Sequence, residues 1–245
     1  MKIIIAIDDT DNLESRGTGY RARELGLLLM QKGLVSLISV TRHQLLFDRR
    51  IPYTSHNSSA SLLCEMKSSF KEVIDFSKEY LIREAADGSD AGLCIADFER
   101  INNQIINWGH KAKTEIITKE NAHELALKNE IYLEGFTGDK IGVIGSLAAV
   151  GLRKEGCDGR LLWMKNMRET TGVFKISDYK ALIGLENISD KDGIFVSENE
   201  KILVTEWCRP IHKNNEITLI VEKEQNRSEY EWKCASKEYI KSISQ

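Results

Sequence analysis

The chain has 245 residues, 42% hydrophobic and 29% charged, with 34 basic against 37 acidic side chains and a formal net charge of −3. That composition suits a folded chain with one large or two modest cores, and the balanced charge excludes a general polyanion binder. No apolar run approaches the roughly 18 residues of a membrane span, and five widely spaced cysteines without a Cys-x-x-Cys pair point to reduced thiols in a cytoplasmic protein.

The apolar start Ile3–Ile7 is β-branched and ends in acids, so it reads as a first strand buried on both faces and not as a signal peptide. Thr18 to Lys32 follows as a helix with Ala22, Leu25 and Leu29 on one face and Gly33 as its stop. Val35 to Val40 and Ala60 to Met66 are the next strands. Ser69 and Glu72 have capping-box spacing ahead of a helical repeat through Phe70, Val73, Ile74 and Leu81, which Asp87-Gly88 closes. Gly92 to Ala96 is a short strand. The order β-α-β-β-α-β is that of a ferredoxin-like unit.

Beyond it, Ile101 to His110 and Lys119 to Asn129 are expected helices. The run Gly138 to Gly151 carries interior glycines that each cost a helix about 1 kcal/mol relative to alanine, so close packing of a backbone or a ligand must compensate. Arg160 to Met164 reads as a strand, and short β-like pieces are expected from Gly172 onward, clearest at Ile202 to Thr205 and Ile217 to Glu222. The expected class is α/β (α+β): a ferredoxin-like βαββαβ unit with the acidic loop (1–98), packed with a second α/β subdomain carrying the glycine-rich helix (99–170), and a β-rich extension (171–245).

Asp8-Asp9-Thr10-Asp11 stands directly after the first strand. Three carboxylates within four residues repel one another unless they are well solvated or share a cation, and Mg²⁺, an oxygen-seeking ion carried by one or two carboxylates plus phosphates, is the natural partner. Arg16-Gly17-Thr18-Gly19-Tyr20 opens the first helix, whose free amides attract anions. Thr18 can cap that helix, contact a phosphate or accept one. A solvated acidic turn beside a capped helix is the plainer alternative. No P-loop is present. Ser55-His56-Asn57-Ser58-Ser59 forms a polar stretch suited to substrate contact, or to an ordinary turn. The other histidines show no metal spacing, and the four tryptophans are too scattered for a base-stacking platform.

These residues resemble a known family. Ile7-Asp8-Asp9-Thr10-Asp11 followed by Gly17-Thr18-Gly19-Tyr20 is similar to the start of archaeal tRNA-isoleucine 2-agmatinylcytidine synthetases, where Ile-Asp-Asp-Thr-Asp leads to Cys-Thr-Thr-Tyr. Ile51-Pro52-Tyr53 with Ala60 resembles a second segment of that family, and Ile144 to Gly151 its Ile-Gly-Ala-Leu-Ala-Ala-Ile-Gly helix. Ile176 to Tyr179 continues the likeness more weakly. The resemblance implies an ATP-dependent enzyme that phosphorylates a cytidine carbonyl before an amine displaces the phosphate. It implies Asp8, Asp9 and Asp11 as metal and phosphate ligands, with Asp9, Asp11 and Thr18 catalytic and Thr18 the autophosphorylated threonine. It implies that Gly142 and Gly145 lie on a glycine-rich helix packed against the nucleotide site. The residues' own reading adds Arg16, Gly17, Gly19 and Ser146 about the ATP phosphates, and His56, Asn57 and Ser58 on the acceptor side.

Departures are as informative. The family's second threonine is Gly19 here, and Thr54 to Ser59 lacks both cations of the family's Lys-Thr-Arg-Gly-Asn-Gly segment. The family's later OB-fold and zinc ribbon, which hold tRNA, have no counterpart expected in the residues after Gln225. The expectation is therefore an ATP- and Mg²⁺-dependent phosphoryl transferase or amide/amidine-forming ligase acting on a small-molecule or nucleotide-like acceptor. The alternatives are a tRNA-modifying enzyme relying on a separate tRNA-binding partner, a non-catalytic nucleotide-binding module, or a homologue used only for assembly.

Overall fold

Strand β1 (Lys2–Asp8) is buried on both faces, as its branched residues predict: Ile3, Ile4, Ile5, Ala6 and Ile7 have no exposed surface. The computed structural model describes residues 1–52, 56–226 and 229–244. It divides into two compact units, Met1–Glu155 and Gly156–Gln245.

In the first unit β1 is followed by α1 (Thr18–Gln31), β2 (Val35–Gln44), β3 (Ser58–Met66), α2 (Phe70–Glu84) and β4 (Gly92–Asp97). The strands order as β4-β1-β3-β2, every neighbour antiparallel, which is the ferredoxin-like arrangement. Helix α1 ends as its sequence dictates. Gly33 takes a left-handed φ of 72°, its amide donates to the Met30 carbonyl, and the Leu34 amide donates to Leu29, a Schellman closure. Ser69 and Glu72 make the expected reciprocal capping box on α2.

Then come α3 (Asn103–Thr114), α4 (Lys119–Lys128), β5 (Tyr132–Gly135) and α5 (Val143–Glu155). β5 pairs with β4 and widens the sheet. Alternation along β1 sends Ile4 and Ala6 to one face, where they join a core with Ile105, Trp108, Val143, Leu147 and Ala148 of α3 and α5. The other face carries α1, whose Gly26 lies flat against Leu37 of β2 and Leu62 of β3. Helices α3, α4 and α5 thus form the layer over the Ile4–Ala6 face of the ferredoxin-like sheet.

The glycines of the 138–151 run have the compensation they require. α5 begins at Val143, and a Cβ on Gly151 would overlap the Ile105 carbonyl of α3, while one on Gly109 of α3 would come 2.8 Å from Leu152. The two helices therefore approach backbone to backbone.

In the second unit, β6 (Arg160–Met164), β10 (Ile211–Lys213), β11 (Glu216–Lys223), β12 (Trp232–Cys234), β9 (Lys201–Val204) and β7 (Gly172–Lys175) follow one another across a sheet, and β8 (Asn187–Asp190) runs parallel to β11. Two helices, α6 (Ile176–Ile183) and α7 (Lys237–Ile243), occur where only short β-like pieces were expected. Eight and seven residues are too few for a helical repeat to declare itself. Tyr179 and Ile183 of α6 enter a core with Leu161, Ile188 and Leu219. Among the described residues no helix is long and apolar enough to cross a membrane.

Gly151→Ala is expected to lower stability by about 1–3 kcal/mol, although alanine favours a helix by about 1 kcal/mol, because the added methyl must push α3 away. The urea midpoint measures it, and a midpoint at or above wild type would contradict the packing.

A carboxylate-lined candidate active site

Asp8 ends β1, and alternation points it to the α5 face with Ile4 and Ala6. There it is buried against the first turn of α5: a Cβ on Gly145 would overlap the Asp8 carboxylate. A Cβ on Gly142 would sit 2.8 Å from the Asp8 carbonyl and 2.6 Å from that of Asp90. The two glycines let a helix N-terminus, the positive end of its dipole, close onto a carboxylate. Burial first, and then the charge of Asp9, push the Asp8 carboxyl well above its usual range, against the opposing pull of the Asp9 amide.

Asp9 adopts a left-handed backbone with φ of 50°, which Asp tolerates better than most residues. Its carboxyl is pushed up to about 6, by burial first and then by the charges of Asp90 and Asp11, while the Asp90 amide acts in the opposite sense. The loop that follows is not a loose acidic turn. Asn12 Oδ1 accepts the amides of Glu14 and Ser15 at 3.0 and 2.9 Å, its side-chain amide donates to the Asp87 carbonyl at 3.1 Å, and the Ala86 amide donates to the Thr10 carbonyl at 3.1 Å.

Gly17, not Thr18, is the N-cap of α1, and it offers no side chain. Asp11 takes over that role from outside the helix, with Oδ1 accepting the Thr18 amide at 3.2 Å and the Thr18 hydroxyl at 2.7 Å. Thr18 Oγ1 accepts in turn from the amide and hydroxyl of Thr10 at 3.2 and 3.1 Å. The buried threonine oxygen is thus oriented, with its proton directed at a carboxylate.

These groups line one end of a cavity of about 490 Å³, a volume usual for small-ligand sites. Asp8, Asp9, Asp11, Thr18, Gly142, Gly145, His56, Asn57 and Ser58 all border it. Arg16, Gly17, Gly19 and Ser146 do not. The Arg16 guanidinium lies 5.2 Å from the Tyr20 ring centroid, and the Ser146 hydroxyl is buried and donates to the Val143 carbonyl at 3.2 Å. Tyr53, Thr54 and Ser55 lie outside the described residues.

Asn57 is a brace as well as a lining residue. Its side chain donates to the Leu46 carbonyl at 2.8 Å and its own carbonyl accepts the Leu45 amide at 2.9 Å, fixing the end of β2 to the start of β3. His56 meets Phe47 edge to face, with centroids 6.2 Å apart.

Another part of the lining was not foreseen from the sequence. Glu115, Ile116, Ile117, Thr118 and Lys119, between α3 and α4, combine with Leu45, Ile141 and Ile144 into a largely apolar surface. Lys119 fastens it by donating to the Asp139 carbonyl at 2.9 Å. Arg50 brings a second cation to the cavity and is paired to Asp48.

The donor set is all oxygen, which suits Mg²⁺. Among the described residues no group of three or more His, Cys, Asp and Glu side chains is gathered closely enough to hold a metal by itself. The residues therefore fit an ion that arrives with phosphate oxygens and takes one or two carboxylates from the protein, not a closed protein cage.

The fold is similar to that of solved enzymes that act on tRNA. In particular, the chain shares the fold of TiaS, an agmatidine synthetase acting on an isoleucine tRNA: the apo structure aligns at a TM-score of 0.56 over 99% of this chain and 54% of TiaS, at 19% identity, a likeness of fold alone. A solved tRNA fluorescent labeling enzyme is 26% identical, at a TM-score of 0.55 over 62% of this chain and 36% of that one. TiaS in complex with its isoleucine tRNA and ATP is 25% identical, at a TM-score of 0.54 over the same shares. An uncharacterized protein of Methanocaldococcus jannaschii is 29% identical over 151 residues, 62% of this chain and 50% of that protein. The chain thus spans about half the length, or less, of the proteins it matches. No protein-family model matches it.

Two outcomes test this geometry. Gly145→Ala should destabilise the wild type by about 1–3 kcal/mol and clearly less in an Asp8→Ala background, since the severest clash is with that side chain and the remaining one, 2.9 Å from Leu45, is milder; additive effects in urea unfolding would break the assignment. Because folded Asp9 holds its proton up to about 6 against an ordinary value of 3.8, the folded state binds that proton more tightly than the unfolded chain. The contribution is therefore present below the unfolded value and lost as pH rises from about 4 through 6. Urea midpoints across that window should fall in the wild type and fall less in Asp9→Asn.

Proposed function

We propose that the chain is an ATP- and Mg²⁺-dependent phosphoryl transferase or ligase. The observation that carries the proposal is the Thr18 hydroxyl, held at 2.7 Å on the Asp11 carboxylate inside the carboxylate-lined cavity. The likeness to TiaS, solved in complex with ATP and with AMPCPP and agmatine, supports a nucleotide as the ligand.

Asp8 and Asp9 are the residues to hold the metal. When bound, Mg²⁺ would neutralise charge on the phosphates, much of what phosphoryl transfer requires of a protein. The chain's own groups do the rest. Gly142 and Gly145 let the amide end of α5 lie close to the anionic end of the cavity, and α1 presents its first turn from the other side. The Ile116–Ile117 wall excludes water from a base or sugar.

Thr18 Oγ1 is the atom to contact or accept the γ-phosphoryl group. Rotation of the Thr10 hydroxyl frees a lone pair on Thr18 Oγ1, which would bond to the γ-phosphorus as the Thr18 proton passes to Asp11 and the bond from the γ-phosphorus to the nucleoside diphosphate breaks. His56 and Ser58 lie on the acceptor side, where a small-molecule or nucleotide-like group would receive the activation.

A second reading, that the acceptor is a tRNA base, is favoured by the solved neighbours that carry tRNA. Turnover of free nucleosides against tRNA, with and without candidate tRNA-binding partners, separates the two.

Incubated with ATP and Mg²⁺, the wild type should gain one phosphoryl group on the peptide containing Thr18 and release nucleoside diphosphate. Thr18→Ala should abolish the label, Thr18→Ser should keep it, and Asp11→Asn should slow its formation by about 10²–10⁴-fold. A label at another residue, or equal labelling of the Thr18→Ala protein, would refute the role given to Thr18. ATP binding without turnover would leave a nucleotide-sensing module.

A further inference from the structure

The cysteines occupy three different environments. Cys64 and Cys94 lie inside the sheet of the first unit, where burial pushes the Cys64 thiol up to about 12 and the Cys94 thiol higher still. Cys157 is exposed. Cys208 and Cys234 form a pair in the second unit, their sulfurs 2.8 Å apart. That is inside ordinary non-bonded contact and short of the about 2.05 Å of a disulfide.

The pair is held from several sides. Cys208 lies fully buried on the segment joining β9 to β10, within the core that contains Tyr179, Ile202 and Leu219. Cys234 ends β12, which Val221 of β11 and Leu203 of β9 flank in register, and it is only half-buried. The Tyr179 hydroxyl donates to Cys208 Sγ at 3.6 Å. Cys208 is therefore sheltered inside the core, and Cys234 packs against it at the edge.

We propose that Cys208 and Cys234 form a reversible intramolecular disulfide, with hydrogen peroxide as oxidant. One sulfur of the pair, as the thiolate, attacks a peroxide oxygen, the O–O bond breaks, the departing hydroxide takes up the thiol's proton and leaves as water, and a sulfenic acid remains. The partner sulfur then attacks the oxidised one, the S–O bond breaks, and the departing hydroxide takes the remaining thiol proton as a second water. Two thiols give up two electrons and two protons, and the peroxide is reduced to two waters.

In the reduced pair the Cys234 thiol, then the Tyr179 hydroxyl, donate to the Cys208 sulfur and, with the Arg209 charge, hold it below its usual value despite burial, while the same hydrogen bond and then burial hold the Cys234 thiol well above its own. The bridge would join positions 26 residues apart and tie the β9–β10 segment to β12. Cross-linking of that kind stabilises mainly by restricting the unfolded chain.

The test uses the full chain carrying Cys157→Ser, which removes the exposed thiol. After mild hydrogen peroxide, denaturation and alkylation, peptide mapping should find Cys208 joined to Cys234, Cys64 and Cys94 alkylated, and a raised thermal midpoint that dithiothreitol reverses. Alkylation of both sulfurs, sulfinic acid at Cys234 with Cys208 alkylated, or linkage between molecules would each overturn the proposal. Cys234→Ser should leave Cys208 fully alkylatable. The peptide map of the Cys157→Ser protein decides the matter even if Cys208→Ser, made in the core, fails to fold.

Discussion

A carboxylate inside a protein is costly unless something answers its charge, and the contact between Asp8 and the first turn of α5 is organised around that fact. The answer is partial. The helix end and the Asp9 amide favour the charged form, while burial and Asp9 itself oppose it more strongly. The site is left short of positive charge in the absence of a cation, and the neighbouring carboxyl of Asp9 shares the deficit. Much of the first unit serves to hold this unfavourable arrangement in place: a strand buried on both sides, two glycines that admit α5, and a loop pinned by Asn12 to the end of α2.

The same economy runs through α1. A helix that begins at Gly17 has no cap of its own, so Asp11 supplies one, and in doing so it fixes the hydroxyl of Thr18. A structural need and a chemical opportunity are met by one side chain. This explains why an acidic residue at position 11 is informative in either role, and why hydrogen bonding alone does not separate them.

The ferredoxin-like order was legible because each element carries its own local mark. β-branched residues announce β1, Ser69 and Glu72 announce α2, and Gly33 ends α1. The acidic turn was legible through charge density alone, and the helix glycines through the packing debt they imply. The apolar wall from Glu115 to Lys119 was not, because it is a connection between helices whose meaning comes from residues as distant as Leu45 and Ile141. Helices α6 and α7 escaped for want of length, and the cap of α1 was assigned one residue late because an acceptor seven positions away does its work. Nor does spacing in sequence suggest that Cys208 and Cys234 meet, since a sheet with both parallel and antiparallel neighbours brings them together.

The left-handed backbone at Asp9 has a consequence for how such a chain can change over time. Asparagine is among the few other side chains comfortable in that conformation, and one base substitution converts any aspartate codon to an asparagine codon. Position 9 is therefore a place where charge can vanish without disturbing the scaffold, so descendants that keep the architecture and lose this acid lie a single step away.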